Sequence, residues 1–177
     1  MAHRFDRVPE SDNDSLSDSN ESNDGTFYGS SDNTMPPEGI SIPSPYFVRK
    51  LHEMGLKYFG HRETACAELQ IRALGRPDSA PQSFYVHREY LTSQSQYFVR
   101  LFNRVEEANS VIPIEIPSPE TFEPLLEYLY TGDGDKWYDT ITLENYDGVY
   151  HNIRYLGLGI AAMNIWLDFY KTQVEEM

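Results

Sequence analysis

Apolar and polar positions repeat along this chain with two periods, and turn residues mark where one period gives way to the other. Ser44-Pro45 reads as an N-cap followed by proline at the first helical position, where a missing N–H costs nothing. Phe47, Leu51, Met54 and Tyr58 then recur at helical spacing. They predict a helix over 46–59 with those four side chains on one face. Ala65, Ala67, Leu69, Ile71 and Ala73 alternate with more polar neighbours, the period of a strand with one covered face. Gly75-Arg76-Pro77-Asp78 breaks it, and Phe84 and Val86 resume the alternation to His87. The two strands predict a hairpin with a long loop over 75–82.

From Leu91 the period becomes helical, with Ser93 or Ser95 as cap and Phe98, Leu101, Phe102 and Val105 as the stripe. Ile112, Ile114 and Ile116 predict a third strand, and Pro113, which lacks a donor, places it at a sheet edge or turns that site to solvent. Ser118-Pro119-Glu120 repeats the cap signature before Phe122, Leu125, Leu126 and Leu129. Pro124 inside that helix would clash with the Glu120 carbonyl unless the helix starts late. Segment 133–142 reads as an acidic loop anchored by Trp137. A helix over 143–156 turns Tyr146, Val149, Ile153 and Leu156 inward, and a last one runs over 160–174 with Trp166 and Phe169 as anchors. Strands and helices mixed without regular alternation indicate an α+β fold. A small sheet of three or more strands is expected against about five helices. Phe98 and Leu126 are expected in the core.

Composition divides the chain. The whole carries 28 carboxylates against 14 basic side chains, a net charge of −14. Residues 1–45 hold nine of the carboxylates and only Arg4 and Arg7 against them. The stretch from Ser11 to Gly25 has one large apolar residue, Leu16, too little to offset the entropy of ordering it. Residues 1–43 are therefore expected to be a disordered acidic tail, and 44–177 one domain. Ser11 and Ser15 each have an aspartate three residues on, so the tail is either a solvating spacer or a phosphorylation target. The acidic balance argues against nucleic acid and against anionic membrane surfaces. No apolar run is long enough to span a bilayer, and the first residues lack the apolar core of a secretory signal. With a single cysteine, Cys66, there is neither an internal disulfide nor a multi-cysteine metal site.

The ordered part resembles the BTB/POZ domain family. The resemblance rests on Phe84-Tyr85-Val86-His87, Ser95-Gln96-Tyr97-Phe98 with Leu101-Phe102, Ile114-Glu115-Ile116, and Phe122 through Leu129-Tyr130-Thr131-Gly132, in that order over about 46–170. It departs at Thr64-Ala65-Cys66-Ala67, where the family's first strand opens with an Asp-Val pair, and at the segment 133–142. The resemblance implies a protein–protein interaction module that forms a homodimer, with the helix bearing Phe47, Leu51, Met54 and Tyr58 across the interface. It also implies a possible adaptor for a cullin-3 ubiquitin ligase. Val105 and Glu107 would then supply an apolar anchor beside a carboxylate. The other readings are a non-ligase dimerising scaffold and a transcription or signalling regulator, in the cytoplasm or nucleus.

Enzyme chemistry is the contrasting class, and no nucleophile–base pair, P-loop or dinucleotide fingerprint supports it. The expectation is a non-enzyme with no cofactor and no metal. His87 is expected to be a buried structural imidazole, and His52, His61 and His151 are isolated in sequence. Asp133, Asp135, Asp139 and Glu144 fall at positions 1, 3, 7 and 12 of a calcium loop. However, Trp137 offers no ligand at position 5, and Tyr138 stands where the turn needs glycine.

Overall fold

A computed structural model describes residues 44–105 and 110–175. The tail assigned to 1–43, and Glu107, lie outside the described residues. Three strands, β1 (Ala67–Ala73), β2 (Gln82–Val86) and β3 (Ser110–Ile116), form one sheet in the order β2-β1-β3. β1 pairs with β2 as the expected antiparallel hairpin, with Leu69 opposite Phe84. It pairs in parallel with β3, with Leu69 opposite Ile112. β3 is an edge strand, so Pro113 leaves no ladder donor missing on its open side. The inward set of Ala67, Leu69, Ile71, Ile112, Ile114 and Ile116 is buried.

Among the described residues there are seven α-helices: α1 (Pro45–Tyr58), α2 (Arg88–Thr92), α3 (Gln96–Phe102), α4 (Phe122–Thr131), α5 (Gly134–Tyr138), α6 (Tyr146–Leu156) and α7 (Ile160–Phe169). Phe98 and Leu126 both lie in the core, as expected. Ser95 is the cap of α3: its hydroxyl accepts from the Phe98 amide at 3.2 Å and donates to the Leu156 carbonyl at 2.6 Å. One side chain therefore starts a helix and ties it to α6.

Several boundaries differ from the sequence reading. The helical stretch after β2 begins at Arg88 and breaks at 93–95 into two short helices. Pro119–Thr121 form a 3₁₀ turn, so α4 starts at Phe122 and Pro124 sits in its first turn, where no intrahelical bond is lost. The expected helix over 143–156 starts at Tyr146, because Asn145 accepts from the Thr142 amide and donates to the Thr140 carbonyl, holding a turn. The last helix passes from α to π geometry over Tyr170–Val174.

The largest correction is at 133–142, which is not a loop. Asp133 caps α5 through the Lys136 amide at 3.0 Å. Trp137 is 2% exposed and stacks on Tyr128 with ring centroids 4.6 Å apart. Ile141 is buried beyond it. Trp137 and Ile141 tie this otherwise exposed segment to the core.

Candidate interaction surface

α1 is the element whose outer side carries the most exposed apolar surface. Ser44 caps it, accepting from the Phe47 amide at 3.3 Å, and Pro45 opens its first turn. Its inner side turns Val48, Leu51, Gly55, Tyr58 and Phe59 toward the domain. Gly55 sets the depth: a Cβ built there would lie 2.0 Å from the Tyr130 carbonyl oxygen. Only a glycine lets the two backbones approach this closely. Leu51 and Tyr58 pack against the core, and the Leu51 carbonyl accepts from the Tyr90 hydroxyl at 3.0 Å.

The four residues expected on one interface face therefore divide. Leu51 and Tyr58 are half-buried within their own domain, while Phe47 and Met54 are 44% and 46% exposed. Tyr46, at 62%, adjoins them, whereas Leu56, at 74%, is exposed on the opposite flank of the helix. Basic groups frame it. Arg49 and Lys50 lie over the Tyr46 ring at 5.6 and 5.8 Å, and Lys57 over the Tyr58 ring at 5.5 Å. Lys50 also pairs with Glu53 at 2.6 Å.

A polar network beneath α1 fixes its seat. The His87 amide donates to the Tyr130 hydroxyl oxygen at 2.8 Å, which leaves the hydroxyl proton for His87 Nδ1 at 2.9 Å. Nε2 then carries the ring proton and donates to Thr64 Oγ1 at 2.9 Å. Burial holds the His87 pKa below the ordinary histidine value, despite the nearby Glu89 carboxylate. It also pushes the Tyr130 phenol far above its usual range. The imidazole is neutral and its bonds are filled, an arrangement that orients chains rather than moving protons. Gln94 does the same for His52. Its amide NH₂ donates to the Leu129 and Tyr90 carbonyls, so its oxygen faces His52 Nε2 at 3.3 Å.

Val105 follows α3 and is half-buried against the core, its amide donating to the Phe102 carbonyl at 3.3 Å. Cys66 is half-buried in the β1–β2 entry; burial pushes its thiol pKa up and keeps it protonated. Asp133 is engaged as the α5 N-cap, and Asp135 within α5 and Asp139 at its C-cap are exposed. Among the described residues no three His, Cys, Asp or Glu side chains are placed to hold a metal ion. Among them, too, no helix is long and apolar enough to cross a membrane.

Sequence reasoning missed two contributors. Gly55 belongs to neither the apolar nor the charged pattern, yet it decides how closely α1 sits. The basic rim of Arg49, Lys50 and Lys57 was passed over because helical spacing alone does not tie it to exposed apolar groups.

No curated protein matches this sequence. The family model of the BTB/POZ domain matches residues 78–158, from the β1–β2 loop to just beyond α6. Among solved structures, the BTB domain of zebrafish PATZ1 is similar at a TM-score of 0.50 and 18% identity, covering 72% of this chain and 91% of that one. That likeness shows the α+β fold. The family match over residues 78–158 and the shared fold make this chain similar to BTB/POZ domains.

Proposed function

We propose that residues 44–177 act as a self-associating scaffold inside the cell, in the cytoplasm or nucleus, and that a second copy docks on the outer face of α1. The carrying observation is the set of large apolar side chains left exposed on one flank there, Tyr46, Phe47 and Met54. Exposed apolar groups gathered on one element favour protein contact. Sedimentation equilibrium of the full chain tests this. The weight-average mass should rise with concentration above the 20.5 kDa monomer, and Phe47→Glu/Met54→Glu should return it to that mass. A wild-type mass constant at the monomer value overturns the proposal.

An adaptor role toward cullin-3 is a second reading, favoured by the half-exposed Val105 at the end of α3. Calorimetry with the N-terminal region of cullin-3 tests it. Binding that is lost in Val105→Arg supports it, and no heat with folded protein removes it.

A further inference from the structure

The tetrapeptide Ile-Pro-Ser-Pro occurs twice in the chain, at 42–45 and at 116–119. Ser44 and Ser118 are the only serines followed by proline, and no threonine is. A kinase that requires proline directly after the acceptor hydroxyl would read the two copies alike in an unfolded chain. The fold separates them. Ser118 is 4% exposed. Its hydroxyl donates to the Glu120 carboxylate, its amide donates to Asn152 Oδ1 at 3.1 Å, and its carbonyl accepts from Asn152 Nδ2 at 2.7 Å. Gly148 of α6 lies so close that any side chain there would strike the Ser118 hydroxyl. A phosphate enters only if α6 parts from the 3₁₀ turn. Ser44, by contrast, is exposed, and its backbone is extended at φ −62° and ψ 148°. Its hydroxyl oxygen accepts from the Phe47 amide at 3.3 Å, a long bond that is cheap to give up. A kinase must also draw the next residues into extended form. Tyr46 and Phe47 are 62% and 44% exposed, so unwinding the first turn of α1 sacrifices little packing.

We propose that Ser44 is a phosphorylation site for a proline-directed protein kinase, and that the fold closes Ser118, in the same local sequence, to that kinase. Ser44 Oγ attacks the γ-phosphorus of ATP held by the kinase. The Oγ–P bond forms as the bond from that phosphorus to the β–γ bridging oxygen breaks. ADP departs, and the serine proton passes to the kinase's catalytic aspartate. The product suits its place. Ser44 precedes the first turn of α1, whose Tyr46 and Phe47 amides lie at the positive end of the helix and favour a phosphate's negative charge. Arg49 and Lys50, which lie over the Tyr46 ring, are cations about one turn further along. Phosphorylation therefore strengthens the cap of α1 rather than breaking the helix. The modification does not depend on whether copies associate.

The test incubates the folded full chain with an active mitogen-activated protein kinase and ATP. Synthetic peptides of residues 38–50 and 112–124 serve as unfolded references, and both should be phosphorylated. The full chain should gain the mass of one phosphate, placed on Ser44 by fragment mass spectrometry, and Ser44→Ala should gain none. Ser118 in the full chain should stay unmodified. By circular dichroism the phosphorylated chain should melt above the unmodified one. A full chain that takes no phosphate on Ser44 overturns the site, whether or not the 38–50 peptide is a substrate. Phosphate on Ser118 of the full chain, at the rate seen for the 112–124 peptide, overturns the selection by the fold. A melting temperature lowered by the phosphate overturns its role as a cap.

Discussion

Replacing Gly55 by alanine asks whether α1 is seated as described. The new methyl carbon would lie 2.0 Å from the Tyr130 carbonyl oxygen and 2.5 Å from its carbon. Both are backbone atoms of α4, so no side-chain rotation relieves the clash. α1 must withdraw by more than an ångström to reach ordinary contact. Withdrawal loosens Leu51, Tyr58 and Phe59, each half-buried against the core, and lengthens the bond from Tyr90 to the Leu51 carbonyl. Complete burial of such a side chain contributes about 1.5–3 kcal/mol, so losing part of three amounts to about 2–4 kcal/mol. The hydrogen bond adds about 1 kcal/mol. Alanine's better helix propensity returns about 1 kcal/mol. The net expectation is a loss of about 2–4 kcal/mol, measured by urea unfolding followed through Trp137 and Trp166 fluorescence. Gly60→Ala is the control: its φ of +73° costs only about 1–2 kcal/mol, and nothing lies within 4 Å of the added carbon. A Gly55→Ala protein as stable as wild type, or more stable, would mean that helix propensity is all that changed and α1 does not rest on α4.

Other perturbations probe different joints. Tyr130→Phe leaves the His87 amide without its acceptor in a buried site and should cost about 1–3 kcal/mol in the same unfolding assay. Trp137→Ala should cost about 3–5 kcal/mol, whereas an exposed loop residue would cost almost nothing. The His87 ring should titrate by NMR with a midpoint below the ordinary 6.5, because burial disfavours its charged form. As the folded-state pKa lies below the unfolded one, the unfolded chain binds more protons in that window. The stability from His87 is therefore complete above about pH 6.5 and is lost as pH falls through the folded pKa. A midpoint at or above 6.5 would contradict the assigned bonds.

The sheet was readable because period-two alternation needs only a few residues to declare itself. Leu69, Ile71, Ile112, Ile114 and Ile116 gave away the buried face, and Pro113 gave away the edge. The parallel pairing of β3 with β1 was not readable, since periodicity carries no information about partners. α5 was missed because five residues span little more than one turn, too short for a 3.6-residue period to appear. Only the indole of Trp137 among aspartates hinted that the segment turns inward. On α1 the heavy apolar residues suggested a stripe through Phe47 and Met54, while the face that docks is centred on a glycine. Pattern reading weights side chains, and here the contact is made by a backbone that lacks one. That is also why the spacing did not separate Phe47 and Met54, which are exposed, from Leu51 and Tyr58, which pack against the core.

The most direct test of α1 as the docking face is methyl NMR of the full chain, labelled at the methionine ε-carbons. Met54 is exposed on α1, and Met163 is half-buried on α7 against the core. Spectra would be compared from low micromolar to near-millimolar concentration. The account predicts that the Met54 methyl resonance shifts and broadens as copies associate while that of Met163 stays in place. A Met54 resonance unchanged across the whole range would contradict it.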